Sequence, residues 1–180
     1  MPLPTLSPRT LRRAMNLWPP FRFAGISVLE ISDDWSRARV RMRLRRYNRN
    51  LFGTHFGGSL YAMNDPFWAL LVLHRLGRDH VVWDKAAEIE YVSPGRGDVF
   101  AEFHLTEERL AEIREAAAAG DKVLPWFENT VTAADGTVVA RVRKQLYVRR
   151  KRGAAAPAPD RQPAPSPADR PAERSPHGAW

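Results

Sequence analysis

From Ala38 to Arg45 the chain alternates without a break. Ala38, Val40, Met42 and Leu44 take one phase, and Arg39, Arg41, Arg43 and Arg45 take the other. A period of two belongs to a strand with one buried and one solvated face. Shorter runs at Ile26 to Ser32, Val81 to Trp83, Ala87 to Val92 and Val99 to Leu105 read the same way. Two more, at about 125–133 and 137–148, flank Asp135-Gly136, a two-residue hairpin signal. The pattern predicts five or six antiparallel strands.

Helical patterns interrupt this series at three places. Ser7-Pro8 is an N-cap followed by a first-turn proline, and the helix it starts is expected to close at Pro19-Pro20. Thr106 to Ala119, ended by Gly120, is polar and reads as a helix inserted among the strands. Between them, Phe56 to Leu76 is apolar nearly all round and reads as one long helix. Such a helix must be wrapped, and only the sheet is present in sufficient amount to do it. The expected fold class is α+β: an antiparallel sheet curled around a long central helix, with an N-terminal helix and an inserted helix.

Composition narrows the function classes. A chain of 180 residues that is 44% hydrophobic suffices for one domain with a core. Residues 1–152 are assigned to it. From Gly153 the chain holds 7 of its 15 prolines and little that could pack, so 153–180 is expected to be a disordered tail. The net charge is +8; residues 151–180 carry five basic and three acidic groups, which leaves +6 on the rest. That is basic without being a nucleic-acid-scale charge block, and no regular aromatic and basic interleaving supports RNA binding. The arginine face at 39–45 is expected to be solvated and paired with Glu88 and Glu90 of another strand. No cysteine occurs, which removes disulfides, thiolate metal sites and a cysteine nucleophile. No signal-peptide core is present, and the longest apolar run is broken at Asn64, Asp65 and Pro66. No membrane insertion and a cytoplasmic location are therefore expected.

The candidate chemistry lies between Asn48 and Leu73. The loop YNRNLFGTHFGG feeds into SLYAMNDPFWALLVL, whose one carboxylate is Asp65. A glycine-rich helix start offers free N–H groups and a positive dipole end to a carbonyl oxygen or an anion. Gly57 and Asp65 are eight residues apart, roughly 12 Å along one helix, so one subunit cannot put both on one atom. If the pair works together, two copies must each lend half of the site. Asp65 before Pro66 also reads as the N-cap of a second helix.

The order of elements and these residues resemble the hotdog-fold thioesterase superfamily, especially its PaaI-type acyl-CoA thioesterase branch. The resemblance covers about residues 20–150. VVWDKAAEIEYVSPGRGD is similar to a strand and turn in an uncharacterised hotdog subgroup catalogued as a domain of unknown function. The resemblance implies a site formed by the loop Asn50, the helix start Gly57-Gly58 and the acid Asp65. The Gly57 N–H, helped by Asn50, would polarise a thioester carbonyl. Asp65 of the opposite subunit would serve as general base or nucleophile. Phe67 and Trp68 would line an acyl channel, and Arg96 in the PGRGD turn would meet coenzyme A phosphates. The family's histidine directly precedes its first glycine, whereas His55 stands one place early and is expected to line the loop or pocket. The hydroxyl some relatives carry after the helix is replaced by Trp83, Asp84 and Lys85.

The implied partner is an acyl-CoA or another acyl thioester, with coenzyme A as part of the substrate and no cofactor or metal. The implied assembly is a homodimer or homotetramer. Two alternatives stay open: a non-catalytic acyl-CoA binding or regulatory protein, and a hotdog dehydratase or hydratase, whose acid would fall about where Ala69 stands.

Overall fold

The computed structural model describes residues 6–151; the expected tail at 153–180 lies outside them. Ser7 caps α1 (Pro8–Leu17), its hydroxyl oxygen accepting the Thr10 N–H, with Pro8 in the first turn. Pro19 does close α1, yet the two prolines also start a second helix, α2 (Pro19–Ala24). A missing N–H costs nothing in a first turn, so one Pro-Pro pair ends one helix and begins the next.

The strands are β1 (Ile26–Ile31), β2 (Arg37–Met42), β3 (His80–Tyr91), β4 (Val99–His104), β5 (Trp126–Ala133) and β6 (Val138–Arg150). They form one antiparallel sheet in the order β1-β2-β4-β5-β6-β3. The alternation at 38–42 is realised: Ala38, Val40 and Met42 are buried. The two short segments expected around 81–92 are one twelve-residue strand, β3, with a register shift between Asp84 and Ala86. This long strand lies at one edge of the sheet.

The central apolar segment departs from the single helix expected. It forms α3 (Gly57–Ala62) and α4 (Phe67–Leu76), separated by a turn. Pro66 has no N–H to continue the ladder, and a proline disfavours helical backbone in the residue before it. In the break, Asn64 N–H donates to Tyr61 O at 2.8 Å and Asp65 N–H to Ala62 O at 3.4 Å, three residues back instead of four. The inserted helix is α5 (Glu107–Ala116), with Thr106 as its side-chain cap.

Both central helices pack inward. Phe67 stacks on Phe103 of β4 with ring centroids 4.9 Å apart, and Trp68 stacks on Phe127 of β5 at 4.7 Å. A buried polar chain ties the helix break to the sheet. Trp68 Nε1 donates to Asn129 Oδ1, Asn129 Nδ2 donates to Asn64 Oδ1, and Asn64 Nδ2 donates to Leu60 O. These partners relieve the desolvation cost that an unpaired amide would carry there.

The arginine face of β2 is paired, but not with Glu88 and Glu90. Arg39 meets Glu102 at 3.1 Å, whereas Glu88 and Glu90 of β3 meet Arg143 and Arg141 of β6 at 2.9 and 3.1 Å. The strand order decides this, since β2 neighbours β4 while β3 neighbours β6. Solvent screening leaves each of these exposed pairs a small contribution.

Candidate functional site

Asn50 organises the loop ahead of α3. Its Oδ1 accepts the N–H groups of Phe52 and Thr54 at 2.9 and 3.1 Å, and its Nδ2 donates to Thr54 Oγ1 and His55 O at 2.8 and 3.1 Å. Both amide hydrogens are engaged within the loop. Asn50, expected as a second donor to a substrate carbonyl, lines the pocket ahead of α3 and shapes the loop that presents the helix start.

His55 is buried and fastens this loop to the turn at 93–97. Its N–H donates to Gly95 O at 3.1 Å, and its Nε2 donates to Gly97 O at 2.8 Å. A carbonyl only accepts, so the proton belongs on Nε2 in this arrangement. Nδ1 is buried without a partner among the described residues. Burial pushes the imidazole below its ordinary value of 6.5, against the opposing pull of the Gly97 carbonyl and of Asp98. Gly95 is required here, because a Cβ on it would stand 2.8 Å from the His55 ring. His55 is thus a neutral strut of the loop.

Loop and turn enclose a pocket of about 440 Å³. Gly57, His55, Tyr91, Ser93 and the exposed Arg96 are among its lining residues. Gly57 opens α3, and Phe56 before it provides no side-chain cap. The first-turn amides are therefore not taken by a cap. A Cβ on Gly57 would stand 2.8 Å from the Tyr91 hydroxyl. The side chain of Tyr91, at the end of β3, thus packs against the helix start. Gly58 is exposed, and its nearest neighbour is the ring of Phe56. Phe67 and Trp68 do not line this pocket; they are core residues, 1% and 5% exposed. In this chain they hold α4 against β4 and β5 instead of forming the channel wall expected of them.

Asp65 lies elsewhere, at the break between α3 and α4, and is not among the residues lining that pocket. Nor does it cap α4, whose start has no side-chain cap. Its Oδ1 accepts from the Tyr61 hydroxyl at 2.9 Å and from Lys144 Nζ at 2.7 Å. The same ammonium donates to the Asp65 backbone carbonyl and pairs with Asp84 Oδ2 at 2.9 Å. The Lys144 side chain is 1% exposed, whereas Asp65 and Asp84 are 47% and 39% exposed.

The electrostatics of this cluster follow from that geometry. Burial pulls the Lys144 ammonium down, but hydrogen bonds to Asp65 and Asp84 outweigh it and raise the pKa above the ordinary 10.5. The lysine stays charged. Burial raises the Asp84 carboxyl, with Lys144 opposing. Tyr61 is also raised, first by burial and then by its bond to Asp65, so it remains a phenol that donates. The cluster is a buried cation holding two carboxylates at the surface.

Lys144, Asp84, Tyr61 and Tyr91 were not singled out from sequence. A signal for Lys144 was present: on β6, Ala140, Val142, Leu146 and Val148 are buried, and Lys144 occupies the same phase. A lysine in the apolar phase of a strand requires an anionic partner. Nothing local announces that the partners are 79 and 60 positions away.

Residues 8–148 match the family described as Domain of unknown function (DUF4442). The chain belongs to that family. Its fold is the hotdog fold of thioesterase-like proteins, which solved structures share at low identity. A Pseudomonas aeruginosa protein of unknown function, described as a "probable thioesterase", is 22% identical with a TM-score of 0.71 over 84% of this chain and 99% of that one. A thioesterase from Haemophilus influenzae is 14% identical, with a TM-score of 0.59 over 81% and 92% of the two chains. A Chlorobaculum tepidum protein of unknown function is 17% identical, with a TM-score of 0.64 over 82% and 99%. No curated protein matches the chain. Among the described residues no helix is long and apolar enough to cross a membrane.

Proposed function

We propose that this DUF4442 protein hydrolyses an acyl thioester, with an acyl-CoA as substrate, at a site divided between two subunits. The observation that carries the reading is the separation within one chain. Gly57 lines a pocket from which Asp65 is missing, while Asp65 is half exposed on a fixed support. The apolar Trp83, Tyr91 and Val92 at and beside the edge strand β3 are exposed and call for cover by a second copy.

In this mechanism the Gly57 N–H donates to the thioester carbonyl and holds the oxyanion as it forms. Asp65 of the opposing subunit takes a proton from water, whose oxygen attacks the carbonyl carbon. The tetrahedral intermediate collapses, the C–S bond breaks, and the coenzyme A thiolate takes up the proton. Lys144 and Tyr61 fix the carboxylate from behind. Arg96, exposed at the pocket, would meet coenzyme A phosphates.

Binding without turnover is the second reading, and the Asp65–Lys144 ion pair favours it to the extent that it satisfies the carboxylate structurally. The dehydratase alternative receives less support, since Ala69 carries no acid and His55 is committed to the Gly97 carbonyl. Release of free thiol from acyl-CoA, read with a thiol reagent, tests the proposal without background because the chain has no cysteine. Acyl-CoA binding with no thiol release would select the second reading.

A further inference from the structure

Two sets of arginines in this chain differ in their pairing. On or beside the sheet, on α4 and on α5, Arg39, Arg41, Arg43, Arg75, Arg109, Arg141 and Arg143 each have a carboxylate within ion-pair distance. A second group, Arg9, Arg13, Arg22, Arg45, Arg46 and Arg49, is exposed. No ion pair to a described residue is present for any of these six. They come from two stretches, 8–24 and 43–52, that contain no acidic residue.

The fold joins these stretches. Asn48 Nδ2 donates to Ala24 O and to Arg43 O, both at 2.8 Å, and Arg43 N–H donates to Gly25 O at 3.0 Å. The basic loop is thereby tied to the end of α2. The orientation of α1 is fixed as well, because Asn16 clamps Val28 of β1 through both its N–H and its C=O. Arg9, Arg13 and Leu17, all exposed, share a stripe at i, i+4 spacing on the side away from the buried Met15.

Apolar side chains stand among these arginines. Leu17 is 67% exposed, Trp18 50%, Phe23 72%, Tyr47 68% and Phe52 84%. Trp18 is held by its contact with the buried Phe21, ring centroids 5.2 Å apart. Exposed aromatic and aliphatic groups beside unpaired arginines combine the two attractions an anionic lipid surface offers: burial at the headgroup boundary and charge pairing. A second copy of this chain would bring like charges together. Nucleic acid would match the charge but leave Leu17 and Phe23 without an apolar partner.

We propose that α1, α2 and the 43–52 loop form a peripheral docking face for an anionic lipid bilayer. Leu17, Trp18 and Phe23 enter the headgroup boundary, and the six arginines pair with lipid phosphates. Phe52 belongs both to this loop and to the lining of the Gly57 pocket, so docking brings the pocket to the bilayer surface. The docking stands whether or not Asp65 hydrolyses thioesters.

Co-sedimentation of the full chain with phosphatidylcholine vesicles, with and without phosphatidylglycerol, tests it. Binding to the anionic vesicles alone, weakened by added salt, is expected. Removing three charges in Arg13→Gln/Arg22→Gln/Arg46→Gln should weaken it by on the order of a hundredfold. Leu17→Ser/Phe23→Ser should weaken it at least tenfold at an unchanged melting temperature, since these two groups are exposed, and adding Trp18→Ser should weaken it further. Equal binding to both vesicle types, or full binding by the apolar double variant, would overturn the proposal. So would a drop in oligomeric state of the apolar variant without vesicle binding by the parent, which would make the face a subunit interface. Preference for single-stranded RNA over anionic vesicles in direct competition would overturn it too.

Discussion

Lys144 and Asp65 stand 79 positions apart in the chain and meet at 2.7 Å, the lysine buried and the carboxylate half exposed. The ammonium cannot turn toward water, so it fixes where the carboxylate points. With Asp84 on its other side, it turns two like charges into a paired cluster.

Replacing Lys144 by Met keeps the apolar stem but leaves Asp65 and Asp84 repelling each other without a cation between them. Both carboxylates retain water on one side, so the loss should be about 2 kcal/mol, below that for a fully buried broken pair. Thermal melting measures it. The double variant Lys144→Met/Asp84→Ala should recover part of the stability and little of any hydrolysis.

The same cluster sets an alkaline limit. A folded-state pKa raised above the unfolded one stabilises the fold below the unfolded value and ceases to as pH rises through the folded one. Lys144 and Tyr61 are both raised, from ordinary values of 10.5 and 10.0. Melting temperature should fall from about pH 10 upward, and the fall should be smaller in Lys144→Met.

At the acid end the histidines act in the opposite direction. His55, His74 and His80 are all lowered from 6.5, chiefly by burial. Their contribution is complete above the unfolded value and is lost as pH drops from there toward the folded values. Stability should decline below about pH 6.5. His55→Gln, which can still donate to Gly97 O, should flatten part of that decline in melting curves taken across the range.

Asn50→Ala should destabilise the domain by about 1–2 kcal/mol, because it removes four loop hydrogen bonds and leaves polar groups of a half-buried loop unpaired. A residue acting only as an oxyanion donor would leave the melting temperature unchanged. Comparing melting temperature with KM and kcat separates the two roles.

The alternating strands and capped helices were legible because period-two burial and Ser-Pro starts are written in adjacent residues. Arg39 to Arg45 could be placed on a solvated face, but the partners of Arg39, Arg41 and Arg43 could not be, since Glu102 and Asp98 become neighbours only through the strand order. Asp65-Pro66 was readable as a helix start. The structure shows a break in which the carboxylate turns to Lys144 instead of capping, a choice made by a strand far along the chain. Gly57 and His55 were legible as loop residues of a pocket; the contacts they make with Tyr91 and Gly95 became visible only in three dimensions.

Asp65→Asn is the measurement that bears most directly on the proposed chemistry. The amide keeps the shape of the side chain and a carbonyl oxygen for Tyr61 and Lys144 but removes the negative charge. Thiol release from an acyl-CoA that the parent protein hydrolyses should fall by on the order of a hundredfold or more, while acyl-CoA binding persists. Unchanged thiol release by Asp65→Asn, from a parent that does turn over the substrate, would contradict the divided site and the role of Asp65 in it.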